Sequence, residues 1–441
     1  MCASALAAAR CARLLPRLLP HSTGSALRGS TLQPAGTLLH PARAGGGSSA
    51  ATAARARCHS GSASSNASSS SSPANASTAA GASDKKRVVF CGTPEVAALV
   101  LRRLLAAAAQ PDSSFEVAAV VTQPPRPTGR GRKAPQPSPV ELAAEAAGLL
   151  RDRILAPERP GESAFLETLR SLAPDLCVTA AYGNYLPSSF LAVPPHGTLN
   201  IHPSLLPAYR GAAPVQRALE DGLRITGVTV LYTVKAMDAG PILAQQKLPV
   251  DPDIQAPELL DKLFELGTDL LVGNLENVWA GLGPLSAQPQ DDAAATHAPK
   301  LTREEAILDF RQSAQACHNK VRGFAGWPGT FATFRQSGGG GGGGSSSSSS
   351  DSGDAADMEL KVVRTTLAEP SAWRGGDERE VAATKEGLFI RCGDGSVLQV
   401  LEVQVPGKRA MAAKDFVNGM KGRTLSWVPA AAAAAAAGAA A

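Results

Sequence analysis

The sequence predicts an α/β protein in two parts: a Rossmann-like, open, mostly parallel sheet, followed by a small OB-like β-barrel. Three observations carry this. From Arg87 to Trp279, short apolar runs that suit buried strands alternate with stretches of helical apolar spacing. A stretch rich in Ala, Gln, Asp and Pro then interrupts the pattern. Beyond Lys300 the signal changes to short strands separated by Gly turns, the pattern of a barrel. A chain of 441 residues has room for both parts and for extensions.

The elements follow in order. Arg87 to Thr93 (R-V-V-F-C-G-T) reads as a buried strand closed by a Gly turn, and Glu95 to Ala109 as a helix that Pro94 opens. Phe115 to Thr122 is a second strand. Gln123 to Pro137, dense in Pro, Gly and Arg, is expected to be a loop. A helix from Pro139 to Gly148 follows, then strands at Leu176 to Ala181 and Thr198 to His202, the last stopped by Pro203. Gly211 to Asp221 reads as a helix, Ile225 to Val234 as a strand, Pro241 to Val250 as its return, and Ala256 to Trp279 as one long helix. The expected α/β domain covers 84–283 and the linker 284–299. The expected barrel domain, 300–428, opens with a helical segment from Thr302 to Val321. It continues as strands at Gly329 to Phe334, Leu360 to Thr366, Gly387 to Cys392 and Val397 to Val405. A Gly/Ser run at 337–353 and an alanine tail at 429–441 are expected to be disordered.

Residues 1–83 differ from the rest. They hold seven arginines but no Asp, Glu or Lys, and they are rich in Ser and Ala. That is the composition of an organellar transit peptide, and the helix-capable, Arg-rich start favours a mitochondrion over a plastid. The remaining chain carries about as many bases as acids, of which there are 38. A generally basic nucleic-acid binder is thus excluded, and nucleic-acid contact must come from local patches. No apolar stretch suits a membrane span. The seven cysteines show no C-x-x-C pair and no zinc-like spacing with His, so they read as free thiols in a reducing compartment. Cys91 and Cys177 are expected in strand cores.

The first strand-turn-helix, C-G-T-P, has one Gly where a dinucleotide fingerprint needs three, which disfavours a dehydrogenase. Thr198 to Gly222 is the most informative stretch. Asn200 and His202 are two apart on a strand and share a face at its end, where open α/β sheets hold their ligands. An amide that can bond an oxyanion, beside an imidazole that can move protons, suits acyl transfer. Taken alone, the pair equally suits a turn before Pro203. Asp238, in K-A-M-D-A-G, is ordinary turn chemistry or a carboxylate that orients His202. Arg126, Arg130, Arg132 and Lys133 form an acid-free cluster, either a solvated loop or a phosphate contact.

The motifs V-V-F-C-G-T-P, V-V-T-Q-P-P-R-P-T-G-R-G-R-K, P-S-P-V, A-A-Y-G-N-Y-L-P, N-I-H-P-S-L-L-P-A-Y-R-G-A-A-P, T-G-V-T-V and M-D-A-G-P-I-L occur together and in this order. On these residues Arg87 to Gly283 resembles the folate-dependent formyltransferases, and the body from Lys85 to Val428 is similar to the branch that acts on methionyl-tRNA. The resemblance implies transfer of the formyl group of 10-formyltetrahydrofolate to the α-amine of methionyl-initiator-tRNA, without a metal. It implies Asn200, His202 and Asp238 as the catalytic trio and Ser204, Leu205, Leu206 and Pro207 as folate contacts. It implies the Arg126–Lys133 loop, led by Arg130, at the tRNA acceptor stem. The barrel, with Gly323 to Pro328 and the segment at Gly407, becomes a tRNA-binding domain, and the protein a monomer. The Gly/Ser insertion, the alanine tail and Asn184-Tyr185 depart from the family pattern. Transfer to a small amine is the rival within the same chemistry, which the basic loop and barrel disfavour. A non-catalytic RNA-binding protein is the rival outside it, which the intact trio disfavours.

Overall fold

The structure, a computed structural model, describes residues 85–127, 134–337 and 356–429. The first part is a seven-stranded sheet made of β1 (Lys86–Gly92), β2 (Phe115–Val121), β3 (Ile154–Leu155), β4 (Leu176–Ala180), β5 (Thr198–His202), β6 (Ile225–Tyr232) and β7 (Ile242–Pro249). Their spatial order is β7-β6-β5-β4-β1-β2-β3. The strands from β3 to β5 run parallel, while β6 lies antiparallel to both β5 and β7. The order reverses between β1 and β4, and doubly wound sheets hold their ligands in the crevice at the C-terminal ends of the strands at such a point. Helices cover both faces, which is why Val88 to Gly92 and Leu176 to Ala180 are buried without alternation.

The helix Glu95–Ala108 packs Val96, Val100, Leu101 and Leu104 on the sheet. The helix Ala256–Val272 lies beside it on the same face, through Leu259, Leu263, Phe264 and Leu271. Gly267 permits that approach, since a Cβ there would fall 2.5 Å from Ile201 and 2.6 Å from Val228. The expected single helix to Trp279 is two: Gly273 and Asn274 break it, and Leu275–Trp279 forms a separate turn and a half. The helix expected from Gly211 begins only at Pro214, because Gly211, at φ +127°, sits outside helical backbone. An additional amphipathic helix, Ser163–Ser171, buries Phe165, Leu166 and Leu169 on the opposite face.

Two stretches expected to lack structure are paired. Arg126–Pro127 bonds antiparallel to Pro135–Gln136, which makes a short ribbon at the base of the basic loop. The stretch expected as a linker carries a short helix, Gly283–Ser286. His297–Ala298 then pairs in parallel with Arg210–Gly211.

The second part is a six-stranded antiparallel barrel of β8 (Thr330–Ser337), β9 (Ala356–Ala368), β10 (Glu380–Thr384), β11 (Gly387–Arg391), β12 (Val397–Gln404) and β13 (Thr424–Val428). The order is β9-β8-β13-β10-β11-β12, and pairing of β12 with β9 closes it. Phe334, Leu360, Val362, Leu388, Ile390, Val400 and Trp427 fill the interior. The helical segment expected from Thr302 is a single 3-10 turn at Glu304–Ala306 and α-helical only over Ala314–Gly323, where Ser313 Oγ caps the first turn. Before it, Leu308 N–H bonds Phe331 C=O instead of a helical partner. Residues 1–84, most of the Gly/Ser run and the alanine tail from 430 lie outside the described residues.

The two parts meet along a polar seam. The helix Pro214–Glu220 packs on Ala314–Gly323, and Arg217 bonds Glu220 at 2.8 Å and Glu305 at 2.9 Å. Gln255 Nε2 donates to Val363 C=O at 2.7 Å. His318, Asn319 and Arg322 are buried there. The Nε2 of His318 donates to Pro252 C=O at 3.0 Å, and its Nδ1 accepts from Thr365 Oγ1 at 3.0 Å.

Candidate functional site

Strand β5 delivers Asn200 and His202 to the crevice on one face. Its pairing with β4 sets Thr179 opposite Asn200, and Thr179 Oγ1 donates to Asn200 Oδ1 at 2.7 Å. The carbonyl end of the amide is therefore occupied, and the NH2 end is the one left to donate. A donor fixed this way reorganises little when charge develops on a bound oxygen.

His202 is buried, 4% exposed. Its Nε2 lies 3.0 Å from Tyr209 C=O. A carbonyl only accepts, so Nε2 carries the hydrogen, and Nδ1 of the neutral ring holds a bare lone pair. Nδ1 faces Asp238 Oδ1 at 3.7 Å, beyond hydrogen-bond length but close enough for the carboxylate to stabilise a proton arriving on the ring. Distances of this kind tighten when a substrate arrives.

Asp238 is held by two hydrogen bonds in a strained backbone conformation. Its backbone is left-handed, at φ +51°, an uncommon conformation for a residue with a side chain. Its Oδ2 accepts from Gly211 N–H at 3.0 Å. Its own C=O accepts from Gln290 Nε2 at 2.7 Å. The arrangement brings the three expected residues together at the end of the parallel strands, and it can bond an oxyanion, accept a proton and balance the resulting charge.

The segment Ser204 to Pro207 forms the adjoining loop, with a cis bond between Leu206 and Pro207. Ser204 is buried and its hydroxyl donates to Ala208 C=O at 2.7 Å. Thr229 Oγ1 donates to Ser204 C=O at 2.7 Å, and Gln245 Nε2 donates to Leu206 C=O at 2.7 Å. Leu206 is buried, whereas Leu205 and Pro207 are half-buried. The loop is thus tied by its main chain to β6 and β7, and its one hydroxyl is already spent. Arg126 is exposed on the short ribbon, and Arg130, Arg132 and Lys133 lie outside the described residues. Asn184 Oδ1 accepts from Gln123 Nε2 at 3.3 Å, and Tyr185 stands exposed.

Cys91 and Cys177 are buried, and burial pushes both thiols up, so neither offers a thiolate. Cys317 and Cys392 are likewise buried and free. Among the described residues no three His, Cys, Asp or Glu side chains gather as metal ligands, and no helix is long and apolar enough to cross a membrane. The groups that sequence reasoning missed are the ones that hold the trio: Thr179, the Tyr209 carbonyl, the Gly211 amide and Gln290. Backbone groups leave no sequence signal. Thr179 was legible as the register partner of Asn200 once the strand pair was known.

Residues 85–275 match the family model for formyl transferase, and residues 300–421 match that for the formyl transferase C-terminal domain. Methionyl-tRNA formyltransferase of Moorella thermoacetica is 40% identical over 333 residues, which are 76% of this chain and 96% of that protein. The Thermus thermophilus protein of the same name is also 40% identical, with the same coverage. That of Enterococcus faecalis is 36% identical over 334 residues, 76% of this chain and 96% of its own length. Matched in both of its parts and along nearly the whole of these relatives, the chain is a formyl-transferring enzyme and belongs to the methionyl-tRNA formyltransferase family.

Proposed function

We propose that the enzyme transfers the formyl group of 10-formyltetrahydrofolate to the α-amine of methionyl-initiator-tRNA, for translation initiation within an organelle. The observation that carries the chemistry is the fixed polarity of the trio. Thr179 turns the NH2 end of Asn200 outward, and Tyr209 leaves Nδ1 of His202 bare beside Asp238.

The neutral amine attacks the formyl carbon and forms the new C–N bond. Asn200 Nδ2 donates to the oxyanion of the tetrahedral species, a contact of about 2.7–4 kcal/mol in comparable sites. His202 Nδ1 takes the proton released by the amine nitrogen and passes it to N10 as the C–N10 bond breaks. Formyl-methionyl-tRNA and tetrahydrofolate are the products, so atoms and protons balance. Asp238 stabilises the imidazolium that exists between the two transfers. Ser204, Leu205, Leu206 and Pro207 border the folate through main chain and the apolar edges of Leu205 and Pro207.

Arg126, Arg130, Arg132 and Lys133 contact phosphates of the acceptor stem, and the barrel supplies a second tRNA surface. The relatives support this acceptor by name and by their match over both parts. Residues 1–83 act as a transit peptide directing the chain to a mitochondrion, with a plastid as the alternative, and the enzyme works as a monomer. Composition alone supports the targeting.

The test is to incubate the full chain with 10-formyltetrahydrofolate and with charged initiator or elongator tRNA. Fast formylation of the initiator species alone is expected. Equal rates on both, or none on either, would overturn the acceptor assignment. Residues 1–83 fused to a fluorescent reporter should enter mitochondria, and a cytosolic reporter would refute the targeting.

A further inference from the structure

The most constrained contact at the site comes from outside the catalytic motifs. Gln290 lies in the segment between the family domains and reaches back to the Asp238 turn. Its Nε2 donates to Asp238 C=O at 2.7 Å and to Gly240 C=O at 2.7 Å. Its Oε1 accepts from Arg210 Nε at 3.0 Å and Nη2 at 2.8 Å. A primary amide has two hydrogens and two carbonyl lone pairs, so this side chain is fully used. Arg210 also meets Asp292 at 2.8 Å, which balances its charge.

Arg210 sits between the two groups that matter. Before it in the chain, the Tyr209 carbonyl holds His202 Nε2, and after it the Gly211 amide holds Asp238 Oδ2. Gln290 therefore clamps the loop that orients the imidazole to the turn that presents the carboxylate. A left-handed Asp persists only where its surroundings over-determine it, and Gln290 bonds the carbonyl of that very residue. No other side chain meets both demands. Glu would set a carboxylate against two carbonyl oxygens, Asn is one methylene too short, and Lys accepts nothing.

We propose that Gln290 is a positioning residue that sets the distance and angle between Asp238 and His202 Nδ1. The inference rests on the reading that this pair moves protons during formyl transfer. A misplacement of about 1 Å in such a pair can cost about 100-fold in rate, without change in the groups that bind substrate.

The test compares Gln290→Ala, Gln290→Glu, Asp238→Ala and the double variant Gln290→Ala/Asp238→Ala. Folding is checked by circular dichroism and thermal melting. Gln290→Glu has almost the volume of the native residue and serves if the Ala variant does not fold. Expected for either Gln290 variant is a kcat lowered about 10- to 100-fold, with KM for folate donor and for charged tRNA within about twofold of the native values. In the Asp238→Ala background the Gln290 change should cost nothing further, because the group that it positions is gone. Full kcat in both Gln290 variants, with Asp238→Ala strongly slowed, overturns the inference alone. A loss that multiplies undiminished onto Asp238→Ala also overturns it, since Gln290 would then act elsewhere. Near-native turnover of Asp238→Ala sinks the proton-transfer reading and the inference with it.

Discussion

Two buried histidines of this molecule have nearly the same surroundings and, on the proposed mechanism, opposite roles. His202, at the strand ends, is 4% exposed, and His318, at the seam between sheet and barrel, is 2% exposed. Each donates Nε2–H to a backbone carbonyl at 3.0 Å, Tyr209 for one and Pro252 for the other. Each has an Asp nearby, at 3.7 Å and 3.6 Å. The difference is the second nitrogen. In His318 it accepts from Thr365 Oγ1, and both ring atoms are spent. In His202, among the described residues, it faces the Asp238 carboxylate at 3.7 Å. Burial and a neighbouring acid therefore do not mark a chemical histidine. On the proposed mechanism a nitrogen left without a fixed partner does, because only that atom can gain and lose a proton without breaking the fold.

Four substitutions or conditions can break this contrast. The largest effect is expected from His202→Ala, which should lower kcat by about 10²–10⁴-fold in steady-state formylation assays. A variant within threefold of native turnover would place the two histidines in one class. Asn200→Ala should follow, with a kcat loss of about 10²–10³-fold and little change in thermal midpoint. His318→Ala should do the reverse. It should lower unfolding free energy by about 2–4 kcal/mol, by leaving Pro252 and Thr365 without partners around a cavity, while kcat at permissive temperature stays near native.

The smallest effect is a pH dependence of stability. Burial foremost, then the Arg322 charge, hold His318 below its ordinary value of 6.5, against the opposing pull of the Pro252 carbonyl and Asp253. The unfolded chain thus takes the proton at a higher pH than the folded one. Stability contributed by the neutral ring is complete above about pH 6.5 and is lost as pH falls through the depressed folded value. Urea midpoints taken from pH 7.5 to 5 should therefore fall more steeply for the native enzyme than for His318→Gln. Parallel curves would remove His318 as the cause.

Much of the architecture was legible in the sequence because it rests on periodicity. The strand at Arg87, its helix and the Asn200–His202 pair follow from apolar runs and a two-residue spacing. Where side chains decide, the pattern misled. Thr302 to Arg311 carries helix-forming residues, yet Glu305 bonds Arg217 across the seam and Leu308 joins β8, so that stretch makes only one 3-10 turn, Glu304–Ala306. Glu380–Thr384 and Thr424–Val428 pair with each other in the middle of the barrel's strand order but are five residues each, too short for alternation to stand out. The helix Ser163–Ser171 did carry the period and could have been found. At the site, the residue types were readable and their polarity was not. Which end of Asn200 faces outward, and which nitrogen of His202 is bare, depend on Thr179 and on a main-chain carbonyl that no sequence motif records.

The pairing of His297–Ala298 with Arg210–Gly211 bears on where the protein can be cut and rejoined. By composition the natural junction lies at Gly283, before the polar stretch. By structure, that stretch adds a strand beside the loop that carries Arg210, and a Cβ at Gly211 would come within 2.7 Å of Ala298 C=O. A hybrid that grafts a relative's barrel at Gly283 would exchange the strand that pairs with Arg210–Gly211 along with the barrel. One spliced just past Ala298 would keep the native strap with its own sheet. Recombination within this family therefore trades modules at a border set by two hydrogen-bonded residues, some fifteen positions beyond the one that composition suggests.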